Sequence, residues 1–158
     1  MPYHPFEPLY THHSKVLILG TFPSVISRQE AFYYAHPQNR FWKVIAALTK
    51  ETLPQTLEAK KALLTKHRIA LWDVIHSCDI IGSSDASITH VIPNDIPALL
   101  SKSPIEHIFA NGAKAYTLYQ THCEPKTQRS IHKLPSTSPA NAACSFKALM
   151  EAWKIILA

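Results

Sequence analysis

The sequence predicts a three-layer α/β fold in which a four-stranded, largely parallel sheet carries helices on both faces. Two observations support this. Strand-like and helix-like segments alternate along most of the chain, and the first two strand-like segments, 16–19 and 69–75, are almost wholly apolar, as strands buried on both faces must be. With 158 residues and 46% hydrophobic content, one compact domain over residues 1–158 is expected. No internal repeat or low-complexity tract argues otherwise.

The elements follow in order. Residues 1–14 hold Pro2, Pro5 and Pro8 without periodicity, so an extended arm packed on the body with a frayed tip is expected. Val16-Leu17-Ile18-Leu19 is the first strand, closed by Gly20. After a loop through Phe22, Ser24 begins a short helical turn over 25–31. Phe41, Val44, Ile45 and Leu48 recur at i, i+3, i+4 and i+7, which predicts a helix from Arg40 to about Lys50, broken by 52–54. LEAKKALLTK at 57–66 is a helix of strong formers, and 69–75 is the second strand. A polar loop from His76 to about His90 is expected next. It is followed by a short helix from Asn94, its cap, to Ser101, and by a third strand at 106–110. Asn111-Gly112 then turns into a helix over 113–121, and 128–133 makes strand four. Leu134 to Ala142, with two prolines and three hydroxyl residues, cannot continue a strand and reads as a rigid loop. Ser145 caps a final helix whose Phe146, Leu149, Met150, Trp153 and Ile156 form an inward, purely structural stripe.

Chemistry concentrates at a few places. In Gly20-Thr21-Phe22-Pro23-Ser24 the glycine permits a sharp turn and the proline fixes φ, leaving a phenylalanine in a loop that should be polar. Loops past the carboxyl ends of parallel strands form the binding crevice of open α/β sheets, so Phe22 is either a stacking surface or a core plug beneath the turn. Tyr33 to Trp42 (YYAHPQNRFW) crowds aromatics, a histidine, an amide and a guanidinium into ten positions. Asn39 falls where the cap of the following helix belongs, and that position also aims its side chain at the crevice. Asp73, a carboxylate in an apolar strand, is costly unless paired or used; it either serves the crevice or caps a neighbouring loop. The Gly112 turn presents free N–H groups at a helix N-terminus.

Composition excludes several classes. Cys78, Cys123 and Cys144 are odd in number and far apart, which indicates no disulfide framework, zinc site or four-cysteine cluster. Ten histidines include an adjacent His12-His13 but no HExxH, so neither a metal nor a cofactor is expected. No apolar run approaches the roughly 20 residues that span a bilayer and the start lacks a secretory segment, so a cytoplasmic protein without a membrane partner is expected. A net charge of +5 and a pI near 9.2 permit a polyanionic partner.

The pairing of LGTFPS with YYAHPQNRFW, supported by LWDVIHSCDIIGSSDASI, resembles the uracil-DNA glycosylase superfamily and within it the hypoxanthine-DNA glycosylase branch. The resemblance runs from about Lys15 to Ala142. It implies the superfamily's fold, with all the motif loops at one sheet edge, and DNA carrying a deaminated base as partner, double- or single-stranded, bound by a monomer. It also implies roles. Asn39 occupies the position of the branch's catalytic amide and would hold the water that attacks C1′, while His36 would donate to the leaving base or order the loop. Phe22, Tyr34 and Gly20 would shape the base pocket, and Asp73 would accept an N–H of hypoxanthine or uracil. The loop from Leu134 resembles the motif that clamps the minor groove and pushes into the duplex; in it Ser136, Thr137, Ser138, Pro139 and Asn141, with Lys133, would meet DNA.

Two departures matter. Phe22 stands where the wider superfamily has a water-activating Asp or Asn, and Leu134 stands where the uracil enzymes open their second motif with His. These favour hypoxanthine over general uracil excision. The absence of an obvious Schiff-base lysine favours a monofunctional hydrolase. Alternatives at this stage are a uracil or mismatch-specific uracil-DNA glycosylase, and a catalytically weak damaged-DNA-binding module. A nucleotide- or flavin-binding protein is disfavoured by three glycines with neither GxGxxG nor a P-loop.

Overall fold

A computed structural model describes residue 4 and residues 6–157. In order, the elements are β1 (Val16–Gly20), α1 (Val25–Glu30), α2 (Phe41–Thr49), α3 (Leu57–Lys66), β2 (Ile69–Asp73), β3 (Ile75–Asp79), β4 (Thr89–Pro93), α4 (Ile96–Lys102), β5 (His107–Asn111), α5 (Ala113–His122), α6 (Glu124–Thr127), β6 (His132–Leu134) and α7 (Phe146–Trp153). The main sheet has the order β2-β1-β5-β6, and every pairing in it is parallel. Alternation along β1 divides the core between its two faces. Leu17 and Leu19 pack with Ile96, Leu99, Leu118 and Tyr119 on one side. Val16 and Ile18 pack with Phe41, Ile45, Leu64, Leu149 and Trp153 on the other. The three-layer expectation is met. No helix among the described residues is long and apolar enough to cross a membrane.

The arm behaves as a partial strand. Leu9 and Leu71 exchange backbone hydrogen bonds of 3.0 and 2.9 Å, which lays the arm antiparallel along the edge of β2. Residues 1–3, the tip expected to fray, lie outside the described residues.

Five expectations need correction. The second strand ends at Asp73; at Val74 the chain turns and continues as β3, which pairs antiparallel with β4. The polar loop expected over 76–90 is therefore partly a hairpin. Its Ser77 and Cys78 are small enough to be buried in β3, and a register that shifts twice hides the alternation. The cap of α4 is Asp95, whose Oδ1 accepts from Ala98 N; Asn94 is buried and its Nδ2 donates to the carbonyls of Asp73 and Ile75. Strand four is shortened to 132–134, because Glu124–Thr127 forms one more helical turn that ends at Gln128 in the left-handed conformation. Finally, Phe146 is exposed, so the inward stripe of α7 rests on Leu149, Trp153 and the following Ile156.

This topology puts chemistry at one edge. The four parallel strands end at Asp73, Gly20, Asn111 and Leu134, with Gly20 paired to Asp73 and Asn111 to Leu134 in register. Carboxyl ends of parallel strands open together into a crevice.

Candidate active site

Asn39 sits in the connection before α2, half-buried. Its Oδ1 accepts from Phe41 N (2.9 Å) and from the Thr137 hydroxyl (2.8 Å). A backbone N–H can only donate, so the oxygen is fixed inward and Nδ2 is the outward end. The cap expected at Asn39 falls instead on Arg40, which makes no side-chain cap bond; Asn39 lies one residue earlier, its oxygen steadies the start of α2 from there, and its amide nitrogen has no partner among the described residues. Thr137 extends the network. It is fully buried, its N–H donates to Asn111 Oδ1 (3.0 Å), and Asn111 Nδ2 donates to its hydroxyl (3.0 Å). The hydroxyl hydrogen is thereby directed at Asn39. Thr137, expected at the DNA surface, faces inward instead, with its hydroxyl both donating and accepting inside the protein. Arg40 closes the same seam, its guanidinium donating to the carbonyls of Cys144 (2.6 Å) and Asn141 (3.0 Å), while its N–H donates to Thr137 O (3.1 Å).

His36 Nδ1 lies 3.1 Å from Gln38 N, which must be the donor, so the ring proton of a neutral His36 sits on Nε2. That nitrogen has no partner among the described residues. Asp73 is buried at the end of β2, and its Oδ2 lies 2.8 Å from His4 Nε2. Its Oδ1 accepts nothing among the described residues and is turned toward Gly20, where a methyl group would collide with it and come within 3.1 Å of the Tyr34 hydroxyl. Glycine is what lets these groups meet. Tyr34 holds a left-handed backbone (φ 52°) and stacks on Phe41 with ring centroids 4.2 Å apart. Its hydroxyl is buried without a partner among the described residues, and burial first, then the Asp73 charge, push its pKa far above the usual tyrosine value. It remains a neutral hydroxyl at the pocket wall.

Phe22 is 9% exposed and belongs to the core cluster, so its ring is chiefly a plug beneath the turn and leaves only a margin uncovered. The Arg28 guanidinium lies 5.3 Å from its ring centroid and donates to Gly82 O (2.6 Å), tying the hairpin tip to this loop. Across the edge, Ser136 Oγ accepts from Ser138 N (3.0 Å), and Ser138 Oγ accepts from Ala140 N (3.1 Å), so each hydroxyl hydrogen is left without an acceptor among the described residues. Asn141 Nδ2 donates to Ser136 O, Pro139 opens a 3₁₀ turn, and Lys133 is exposed. Gly112, at φ 100°, is required at the start of α5, where a side chain would press to within 3.1 Å of Ser136 Cβ. The structure thus brings Gly20, Tyr34 and Asp73 together at the carboxyl edge, with His4 bridging Asp73 to the Phe22 ring, and links Asn39 to the second loop. Among the described residues no group of three His, Cys, Asp or Glu could hold a metal.

The model of the uracil DNA glycosylase superfamily matches residues 7–156. The chain belongs to this superfamily. Among its relatives, the "Hypoxanthine DNA glycosylase" of Methanosarcina acetivorans is 35% identical over 141 residues, 86% of each chain. The protein of the same name from Methanosarcina barkeri is 30% identical over 113 residues, covering 70% of this chain and 71% of its own. The solution structure of a Methanosarcina acetivorans protein described as a candidate uracil DNA glycosylase superposes with a TM-score of 0.82 at 30% identity, covering 96% of this chain and 94% of that one. The superfamily match includes the carboxyl edge just described.

Three of the residues that build this edge escape sequence reasoning. His4 lies in an aperiodic arm, where nothing in the pattern marks a side chain that will reach 69 positions ahead. Asn111 reads in the sequence only as part of a turn. Arg28 sits on a six-residue helix, and its one signal is the aromatic loop preceding it.

Proposed function

We propose that this DNA glycosylase removes hypoxanthine from DNA, flipping the deoxyinosine into the pocket bounded by Gly20, Tyr34, Asp73 and the margin of Phe22. The observation that carries this reading is a bare acceptor at the end of β2 together with a bare donor in the connection before α2, which Thr137 ties to the same carboxyl edge. Asp73 Oδ1 has no donor among the described residues, and Asn39 Nδ2 is the outward end of an amide whose oxygen is held. Hypoxanthine carries N1–H, which Asp73 Oδ1 accepts. The two relatives named for hypoxanthine support that base over uracil.

In the reaction, the N-glycosidic bond breaks with both electrons leaving on the base. Water adds through its oxygen to C1′, and the proton balance returns one hydrogen to the released base. Asn39 Nδ2 holds the water by its oxygen, and His36 Nε2–H donates to the departing base, where charge develops. His36, Asn39, Asp73, Asn111 and Thr137 include no amine, so water is the nucleophile and the enzyme is monofunctional. The Ser136 and Ser138 hydroxyls, the free N–H groups at the start of α5, Lys114 and Lys133 hold phosphates.

Incubating the protein with duplexes carrying one deoxyinosine, deoxyuridine or deoxyxanthosine, followed by alkaline cleavage of abasic sites, tests the reading. Release is expected from deoxyinosine fastest, with strand cleavage only after alkali. Binding without base release would make the protein a damage-binding module, and faster release of uracil would reassign the substrate. Affinity for undamaged duplex is expected to fall with salt: with about three to five phosphates neutralised, log K against log salt should slope at roughly −3 to −4.5. A flat dependence would exclude this mode of DNA binding.

A further inference from the structure

We infer that His4, from the N-terminal arm, is a positioning residue that fixes Asp73 as a pure acceptor toward the base and so determines specificity. The inference rests on the reading above that Asp73 contacts the base. His4 is almost wholly covered: its side chain is 1% exposed and packs at 4.4 Å between centroids from Phe6, with Tyr33 at 6.0 Å and Phe22 at 6.3 Å. Its Nδ1 lies 2.7 Å from the Phe6 carbonyl oxygen. A carbonyl only accepts, so Nδ1 carries a hydrogen. The 2.8 Å contact between Nε2 and Asp73 Oδ2 then holds a single proton, whichever atom keeps it.

Both arrangements have the same consequence at the pocket. With the proton on Nε2, Asp73 is a carboxylate and Oδ1 accepts; with it on Oδ2, Oδ1 is the carbonyl oxygen of an acid and still accepts. An unrestrained protonated aspartate could turn its O–H outward and donate to the bare N1 of adenine. His4 prevents that. The backbone is fixed as well, because Asn94 Nδ2 donates to Asp73 O (2.9 Å) and Val74 N to Gly20 O (2.8 Å).

Replacing Asp73 with asparagine makes the role visible, because an amide has one accepting and one donating end. If His4 keeps hydrogen on Nδ1 and presents a bare Nε2, the amide introduced at position 73 must donate to it, which leaves oxygen toward the base. Asp73→Asn is therefore expected to keep its preference for an N1–H base, and only the combination with His4→Phe, which keeps an aromatic ring in the arm, frees the amide to turn.

The measurement is the ratio of dissociation constants for two single-stranded oligonucleotides, one carrying 2′-fluoro-deoxyadenosine and one 2′-fluoro-deoxyinosine, neither of which is readily cleaved. At neutral pH the ratio for Asp73→Asn is expected within about threefold of the parent, and that for His4→Phe/Asp73→Asn at least about tenfold smaller, the scale of one hydrogen bond. Equal ratios in the single and double variants, or a collapse already in Asp73→Asn, overturn the role of His4. Asp73→Ala is the control for the underlying reading: an unchanged ratio there removes Asp73 from base recognition altogether. Should the double variant fail to fold by circular dichroism, His4→Leu with Asp73→Asn supplies the same comparison.

Discussion

Asn39→Ala is expected to slow hypoxanthine release from a deoxyinosine duplex by about 10²–10³, the usual cost of removing one preorganised donor, while leaving duplex affinity nearly unchanged. Its oxygen also receives Phe41 N at the start of α2, so the same change should lower stability by about 1 kcal/mol, the net cost of a lost hydrogen bond. For a chain of this length that is a fall of roughly 2–4 °C in Tm. The two losses are separable. Asn39→Asp keeps an oxygen for Phe41 N and Thr137 but has no N–H to offer, so it is expected to recover the Tm without recovering the rate. Single-turnover cleavage beside thermal melting reads both quantities. If Asn39→Asp cleaves as fast as the parent, an accepting oxygen and not the N–H serves the chemistry; if Asn39→Ala melts early but cleaves normally, the residue only braces the start of α2.

The sheet is legible because burial on both faces leaves a record in composition. Nothing polar interrupts 16–19, and the first polar side chain of β2, Asp73, stands where that strand ends. The same logic singles out Asp73 and Asn39, since an aspartate in an apolar strand and an amide ahead of an amphipathic helix each break a local rule. What the sequence hides depends on contacts between distant segments. Ser77 and Cys78 look like loop residues until β4 covers them. Asn94 and Asp95 are both good caps, and only the fold shows that the first is needed at the β2–β3 corner. His4 gives no signal because an arm acquires its role from the surface it lies on. Thr137 looks like one hydroxyl among three in a polar loop, and its burial follows from the approach of that loop to Asn111.

Thr137→Val is expected to show that this buried hydroxyl sets the geometry of Asn39. Valine keeps the shape and removes the only atom that both receives Asn111 Nδ2 and donates to Asn39 Oδ1. A buried amide hydrogen is then left without an acceptor, which costs about 1–3 kcal/mol. At roughly 2–4 °C per kcal/mol for a domain of this size, the Tm should fall by several degrees. The catalytic consequence follows from what remains: Asn39 Oδ1 keeps Phe41 N but loses its second restraint, so the amide can swing and Nδ2 no longer rests at one position. Misplacing a positioned group by about 1 Å can cost 10²-fold, and with one restraint retained a tenfold to hundredfold fall in kcat is expected, with KM nearly unchanged. Thr137→Ser restores the hydroxyl and should restore kcat more fully than it restores Tm, because the lost methyl still leaves a small void at a fully buried site. Thermal melts and single-turnover rates on the three proteins decide the matter: a valine variant that melts early yet cleaves at the parental rate would make the Asn111–Thr137–Asn39 network a brace for the loop and nothing more.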